Sequence, residues 1–187
     1  MAITLQTLIN EAADYVKADL ADDDDSPVIE ARLISALNEA KNLLAQRLRL
    51  TMSENIALDD NACFDVAALS KPFWGLVRVL SGGGVVNTQE QNGLIWCSAS
   101  PLETVEVEYE YLPEDMKTPS DIYPFPEAVS WRLLCYYAAA RFYEIKGTAT
   151  SLNKYRYWKG EWEDGISGTR SGKMSRRRIK GVYSYGD

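Results

Sequence analysis

Thr104-Val105-Glu106-Val107-Glu108-Tyr109-Glu110-Tyr111 alternates without a break. Val105, Val107, Tyr109 and Tyr111 fall on one side of an extended chain; Thr104, Glu106, Glu108 and Glu110 fall on the other. That period of two predicts a strand with one dry and one wet face. The preceding residues share its character. Phe73-Trp74-Gly75-Leu76-Val77-Arg78-Val79-Leu80 is β-rich and runs into Ser81-Gly82-Gly83-Gly84, a turn. Val85-Val86 and Leu94-Ile95-Trp96-Cys97 read as short strands, with Asn92-Gly93 as a hairpin turn. Residues 56–112 are therefore expected to form a small antiparallel β insert.

On either side of the insert the period changes to that of a helix. Thr4 is a good N-cap, and Leu5, Leu8, Ile9, Ala12 and Val16 follow at helical spacing, which carries a helix to Leu20. Ser26-Pro27 starts a second helix, whose stripe is Ile29, Leu33, Leu37, Ala40, Leu44 and Leu48. After the insert, Pro113, Pro119, Pro124 and Pro126 enforce an extended connection. Pro126 is expected to start a third helix through Val129, Leu133, Leu134, Tyr137, Ala138, Arg141, Phe142 and Ile145, ended by Gly147. A fourth is expected from Ser151, with Leu152, Tyr155, Trp158 or Lys159, and Trp162 on one stripe; after Gly165 the apolar pattern stops. The expected fold is α+β: mainly an α-helical bundle of about four helices with an inserted small antiparallel β domain and an extended C-terminal tail. The expected boundaries are a helical pair over 1–50, the insert over 56–112, the C-terminal helices over 113–166 and a basic segment over 167–187.

Composition narrows the function. The chain has 187 residues, 46% hydrophobic and 25% charged, which suits one globular domain with an appendage. No apolar run approaches the roughly 20 residues that span a bilayer, so no membrane partner is expected. The first residues carry Glu11, Asp14, Lys17 and Asp19 and read as a helix, not a secretory signal. Cys63, Cys97 and Cys135 lack C-x-x-C spacing and read as reduced, buried thiols of a cytoplasmic product. Histidine is absent, which removes the commonest general base and the commonest metal ligand. No catalytic, cofactor-binding or metal-binding residue is expected, and the chain is not expected to be an enzyme.

Particular motifs bear this out. An EF-hand loop starting at Asp22 would put Pro27 where glycine is needed and Leu33 where the bidentate glutamate is needed. Gly82-Gly83-Gly84 lacks both the Lys-Ser/Thr of a phosphate loop and a helix N-terminus behind it. Glu106, Glu108 and Glu110 alternate along a wet face, where nothing separates their pKa values into an acid and a base. Tyr155 to Trp162 interleaves aromatics and cations, a pattern that stacks on bases; Glu161, Glu163 and Asp164 interrupt it and favour packing on the third helix. Tyr136, Tyr143 and Trp131 suit either a core or a subunit interface.

Charge is unevenly distributed. The net formal charge is −7; residues 167–187 carry six cations and one acid, +5, so the rest of the chain carries −12. Such a segment is expected to be disordered in the free chain. It suits either the phosphates of nucleic acid or folding onto a protein partner. Ile179, Val182, Tyr183 and Tyr185, interspersed with the cations, favour the protein partner, because apolar burial supplies affinity that salt does not screen.

The order of helix, long helix, β insert, proline connection, two helices and basic C-terminal segment resembles the head-to-tail adaptor (connector) proteins of tailed bacteriophages. The resemblance covers about residues 4–165 in layout. It is carried by Phe73-Trp74-Gly75-Leu76-Val77-Arg78-Val79, by Val105-Glu106-Val107-Glu108-Tyr109-Glu110-Tyr111-Leu112-Pro113, by Pro126-Glu127-Ala128-Val129, and by Leu133-Leu134-Cys135-Tyr136-Tyr137-Ala138-Ala139-Ala140-Arg141-Phe142-Tyr143. It implies a structural virion neck protein, with no cofactor, in a homo-oligomeric ring of about twelve subunits under the portal protein. The implied further partners are a downstream neck or tail protein and genome DNA, which passes without specific binding. The implied location is the head-tail junction, with the bacterial host cytoplasm during assembly. Arg176, Arg177, Arg178, Lys180, Tyr183 and Tyr185 are the expected portal contacts. Glu106, Glu108 and Glu110, or Asp22, Asp23, Asp24 and Asp25, are the expected acidic face of the DNA channel, since an acidic lumen repels DNA weakly and lets it slide. The alternatives are a nucleic-acid-binding module using the basic segment, or another neck or tail-completion protein such as a stopper.

Overall fold

The computed structural model describes residues 2–20 and 26–171. Thr4 opens helix α1 (Leu5–Leu20): its hydroxyl accepts from the Thr7 N–H at 3.4 Å, and its carbonyl accepts from Leu8 at 3.1 Å. The amides of the first helical turn have no partner within the helix. Here the proline-bearing connection supplies them. Leu5 N–H donates to the Asp121 carbonyl at 2.8 Å and Gln6 N–H to the Pro119 carbonyl at 3.1 Å, while Tyr123 N–H donates back to Ile3 at 2.8 Å. The four prolines thus hold an extended segment whose carbonyls cap a helix distant in sequence.

Helix α2 (Ser26–Leu48) sends Leu33, Leu37, Ala40 and Leu44 into the helical core. Helix α3 (Arg132–Lys146) adds Leu133, Leu134, Ala138 and Ala139. Gly147, at φ 61°, ends it in the left-handed conformation that glycine favours. Helix α4 (Ala149–Ser171) starts with reciprocal capping: Thr148 N–H donates to the Ser151 hydroxyl at 2.8 Å, and Ser151 N–H to the Thr148 hydroxyl at 3.2 Å.

Two helix expectations are corrected. α3 starts at Arg132, not at Pro126. The Val129 carbonyl is taken by the Tyr123 hydroxyl at 3.1 Å, and Leu133 N–H turns to Ser130 at 3.2 Å, so residues 126–131 stay outside the helix. Of the expected stripe of α4, Trp162 is buried, but Leu152 is exposed and Ser151 and Ile166 are buried with Trp162 instead. The helix also continues past Gly165 to Ser171, so the first residues of the expected tail are helical.

Between α2 and α3 lie strands β1 (Thr51–Ala57), β2 (Cys63–Asp65), β3 (Phe73–Ser81), β4 (Gly84–Val86), β5 (Thr88–Gln91), β6 (Leu94–Cys97) and β7 (Thr104–Tyr111). They make a four-stranded antiparallel sheet, order β1-β7-β3-β4, and a three-stranded one, order β2-β6-β5. Val79, Ile95, Val105, Val107 and Tyr109 are fully buried in their shared core. Gly82 (φ 54°) with Gly83 (φ 83°), and Asn92 (φ 53°) with Gly93 (φ 78°), supply the two left-handed residues of tight hairpin turns. The strands begin at Thr51, not at 56. β1 pairs along the whole of β7, from Thr51 opposite Glu110 to Ala57 opposite Thr104.

The chain is α+β: among the described residues, four helices and a small antiparallel β unit. Two compact units result. The helical unit takes its described residues from Met1–Leu44 and from Asp115 onward; the β unit takes Ala45–Glu114.

The connection carries a pH-dependent turn. The Asp121 carboxylate accepts from the Thr118 hydroxyl (2.5 Å) and from the backbone N–H groups of Thr118 (2.8 Å) and Lys117 (2.5 Å). These donors, the hydroxyl foremost, hold its carboxyl down at about 2. Its stabilising effect is complete above the ordinary carboxylate value of roughly 4 and is lost as pH falls towards about 2. Thermal melts of the natural chain and Asp121→Asn are therefore expected to converge over that interval. A melting difference unchanged between neutral pH and about 2 contradicts this account of the turn.

Candidate functional site

The wet face of β7 gathers Glu106, Glu108 and Glu110 in one row, as the alternation predicts, but the three are not equivalent. Glu108 lies opposite Arg78 of β3 and is only 4% exposed; the Arg78 Nε donates to its Oε2 at 2.5 Å. Glu110 is gripped by Arg49, whose Nε and Nη2 both lie 2.7 Å from one carboxylate oxygen. Arg49 reaches it from the residue after α2, at a left-handed φ of 54°. Glu106 is exposed. The expected uniformly acidic face is therefore corrected: two of its three carboxylates each face an arginine, and Glu106 is the exposed acid of the row. Each carboxylate offsets the charge of its arginine, which lowers the attraction of either for phosphate.

The Arg78–Glu108 pair has a measurable consequence. Arg78→Met removes the guanidinium beside a nearly buried carboxylate and is expected to destabilise the β unit by about 1–3 kcal/mol in urea denaturation. Adding Glu108→Leu is expected to recover much of that loss. A single variant as stable as the natural chain contradicts a contribution from this pair.

Asp22, Asp23, Asp24 and Asp25 lie outside the described residues, as do Arg176, Arg177, Arg178, Lys180, Tyr183 and Tyr185. The aromatic residues of α3 are settled more closely. Tyr136 stacks on Tyr15 (centroids 5.6 Å apart) and on Trp158 (5.7 Å), and Tyr143 is buried with its hydroxyl donating to the Tyr15 carbonyl at 3.4 Å. Both serve packing within the helical unit, the core reading of the two that the sequence allowed. Trp131 is half-buried, with the Arg132 guanidinium 5.3 Å from its ring centroid. Trp162 of α4 packs on Tyr137 of α3 at 5.1 Å, as the packing reading of that aromatic stretch expects.

The sequence reading missed a cavity of about 320 Å³ between α2 and α3. Leu33, Ala36, Ala138 and Phe142 form its apolar lining, and Arg32 and Arg141 stand among its polar groups. The opening arises where Ala36 and Ala138 leave space between facing helices, and each alanine in isolation reads only as a helix former. Arg141 is held by Glu39 at 3.2 Å and by Glu144, and the Tyr137 hydroxyl donates to Glu39 at 2.7 Å. The cavity is thus an apolar notch beside a hydrogen-bonded network of one arginine and two carboxylates.

Cys63, Cys97 and Cys135 are free and buried. Burial pushes the Cys135 thiol well above its ordinary value, which disfavours the thiolate that nucleophilic chemistry needs. Among the described residues, no group of His, Cys, Asp and Glu is placed to hold a metal ion, and no helix is long and apolar enough to cross a membrane. No family model matches the chain, and no curated protein matches it in sequence.

Proposed function

We propose that the chain is a structural neck protein of a tailed bacteriophage, a ring-forming head-to-tail adaptor at the head-tail junction. One observation carries this reading: the helical unit is discontinuous. α1 and most of α2 precede the β unit, α3 and α4 follow it, and the proline connection returns to cap α1. That is the layout of the adaptors the sequence resembles. The chain then docks under the portal protein through its basic C-terminal segment and meets a downstream neck or tail protein on its other side. Ordering such a segment costs roughly 1 kcal/mol or more per residue, and repetition around a ring offsets weak individual contacts. The reading assigns no catalytic step and no cofactor to the chain.

Genome DNA passes through the ring without specific binding, and Glu106 is the exposed acid of the β7 row that would line its path. The carboxylates of Glu108 and Glu110 beside it offset the charge of Arg78 and Arg49, which supports that role. Titration of duplex DNA at increasing salt tests this. The adaptor reading expects no saturable binding near physiological salt. Tight binding that falls steeply with salt and disappears on removal of residues 172–187 would establish the nucleic-acid-binding module instead.

A further inference from the structure

The outward face of α4 is self-complementary. Its buried side is formed by Ser151, Trp158, Trp162 and Ile166, and the opposite side is centred on Gly160. At helical spacing, Arg156, Tyr157, Glu163 and Asp164 share that side with Gly160, and all four are exposed, Tyr157 by 59%. A Cβ placed on Gly160 would meet nothing within 4 Å, so the helix backbone is open to close approach there.

Charge is segregated about this glycine. Between Ala149 and Gly160 the charged residues are Lys154, Arg156 and Lys159, and none is acidic; between Gly160 and Gly168 they are Glu161, Glu163 and Asp164, and none is basic. Compensation within the helix is weak, because a lysine preceding a glutamate by four residues, as Lys159 precedes Glu163, is the less favourable order. An antiparallel copy of the same helix sets the basic half of one against the acidic half of the other.

We propose that two copies of this chain pair through α4, antiparallel, about a two-fold axis at Gly160. The symmetry sets Arg156 of one copy level with Asp164 of the other across the axis, and the pair occurs twice. Tyr157 supplies apolar area beside the axis, and the two helix dipoles oppose each other. The pairing concerns the free chain and does not rest on the neck assignment.

Sedimentation equilibrium of the full chain at low salt tests it. A reversible equilibrium between 21.0 kDa and twice that mass is expected. Arg156→Glu alone and Asp164→Arg alone are each expected to weaken it by at least about tenfold, because symmetry makes each substitution act twice. The two together in one chain restore the charge pairs, and the dimer is expected to return. Salt near 1 M is expected to weaken the natural dimer, since screening then acts within about 3 Å. Circular dichroism accompanies each variant, so that loss of pairing is distinguished from loss of fold. A monomer at all concentrations overturns the proposal, as does an oligomer indifferent to the single substitutions. A folded double variant that stays monomeric overturns it too.

Discussion

Asn38→Ala is expected to destabilise the helical unit by about 2–4 kcal/mol, the summed cost of two buried backbone groups left unpaired. The Asn38 side chain acts here as a piece of extended backbone. Its Nδ2 donates to the Met116 carbonyl at 2.9 Å, and its Oδ1 accepts the Met116 N–H at 2.8 Å. Met116 is 3% exposed, so its backbone groups depend on this side chain for their bonds. One turn further along α2, the fully buried Lys41 amine meets Asp115 at 2.9 Å, so two neighbouring residues of the connection are gripped by one helix face. Asn38→Asp keeps the acceptor, loses the donor and adds a negative charge near Asp115. Its loss is expected to include at least one unpaired group. Urea denaturation measures both variants. An alanine variant within about 0.5 kcal/mol of the natural chain contradicts this account of how the connection is held.

Gly160 and Gly165, two of the three glycines within α4, are expected to respond with opposite signs. A Cβ on Gly165 would stand 2.2 Å from Cδ2 of Leu133 and 3.5 Å from its Cγ. Leu133 is 2% exposed, so its side chain has to shift within the packed core to make room. Overpacking of this kind costs about 1–3 kcal/mol. The gain in helix propensity, up to about 1 kcal/mol, offsets only part of it. Gly160→Ala meets no atom and is expected to stabilise by about 0.5–1 kcal/mol. Measured in urea on dilute protein, equal gains for both variants would show that Gly165 is not where α3 and α4 approach closely.

The features legible in the sequence are those set by local chemistry. β7 follows its alternation from Thr104 to Tyr111, and the turns at Gly82-Gly83 and Asn92-Gly93, the cap at Thr4 and the stop at Gly147 each depend on residues within a few positions. What escaped depends on distant partners. β1 carries Glu54 on its inward side, which breaks an apolar pattern; the buried Tyr109 hydroxyl donates to that carboxylate at 2.6 Å and makes the position tolerable. Burial, with Glu54 beside it, pushes the Tyr109 hydroxyl up to about 12. The carboxylate row of β7 was legible, but its arginines were not. β3 shifts register against β7 between Phe73 and Gly75 and between Leu76 and Arg78, so counting along β3 does not place Arg78 opposite Glu108. The start of α3 escaped because a tyrosine six residues upstream occupies the Val129 carbonyl.

Native mass spectrometry of this chain mixed with the portal ring of the same phage, with and without residues 172–187, tests the adaptor assignment most directly. The account predicts a complex that holds a fixed multiple of the 21.0 kDa chain and is lost when those residues are removed. A portal ring that retains its own mass at every ratio of the two proteins would contradict it.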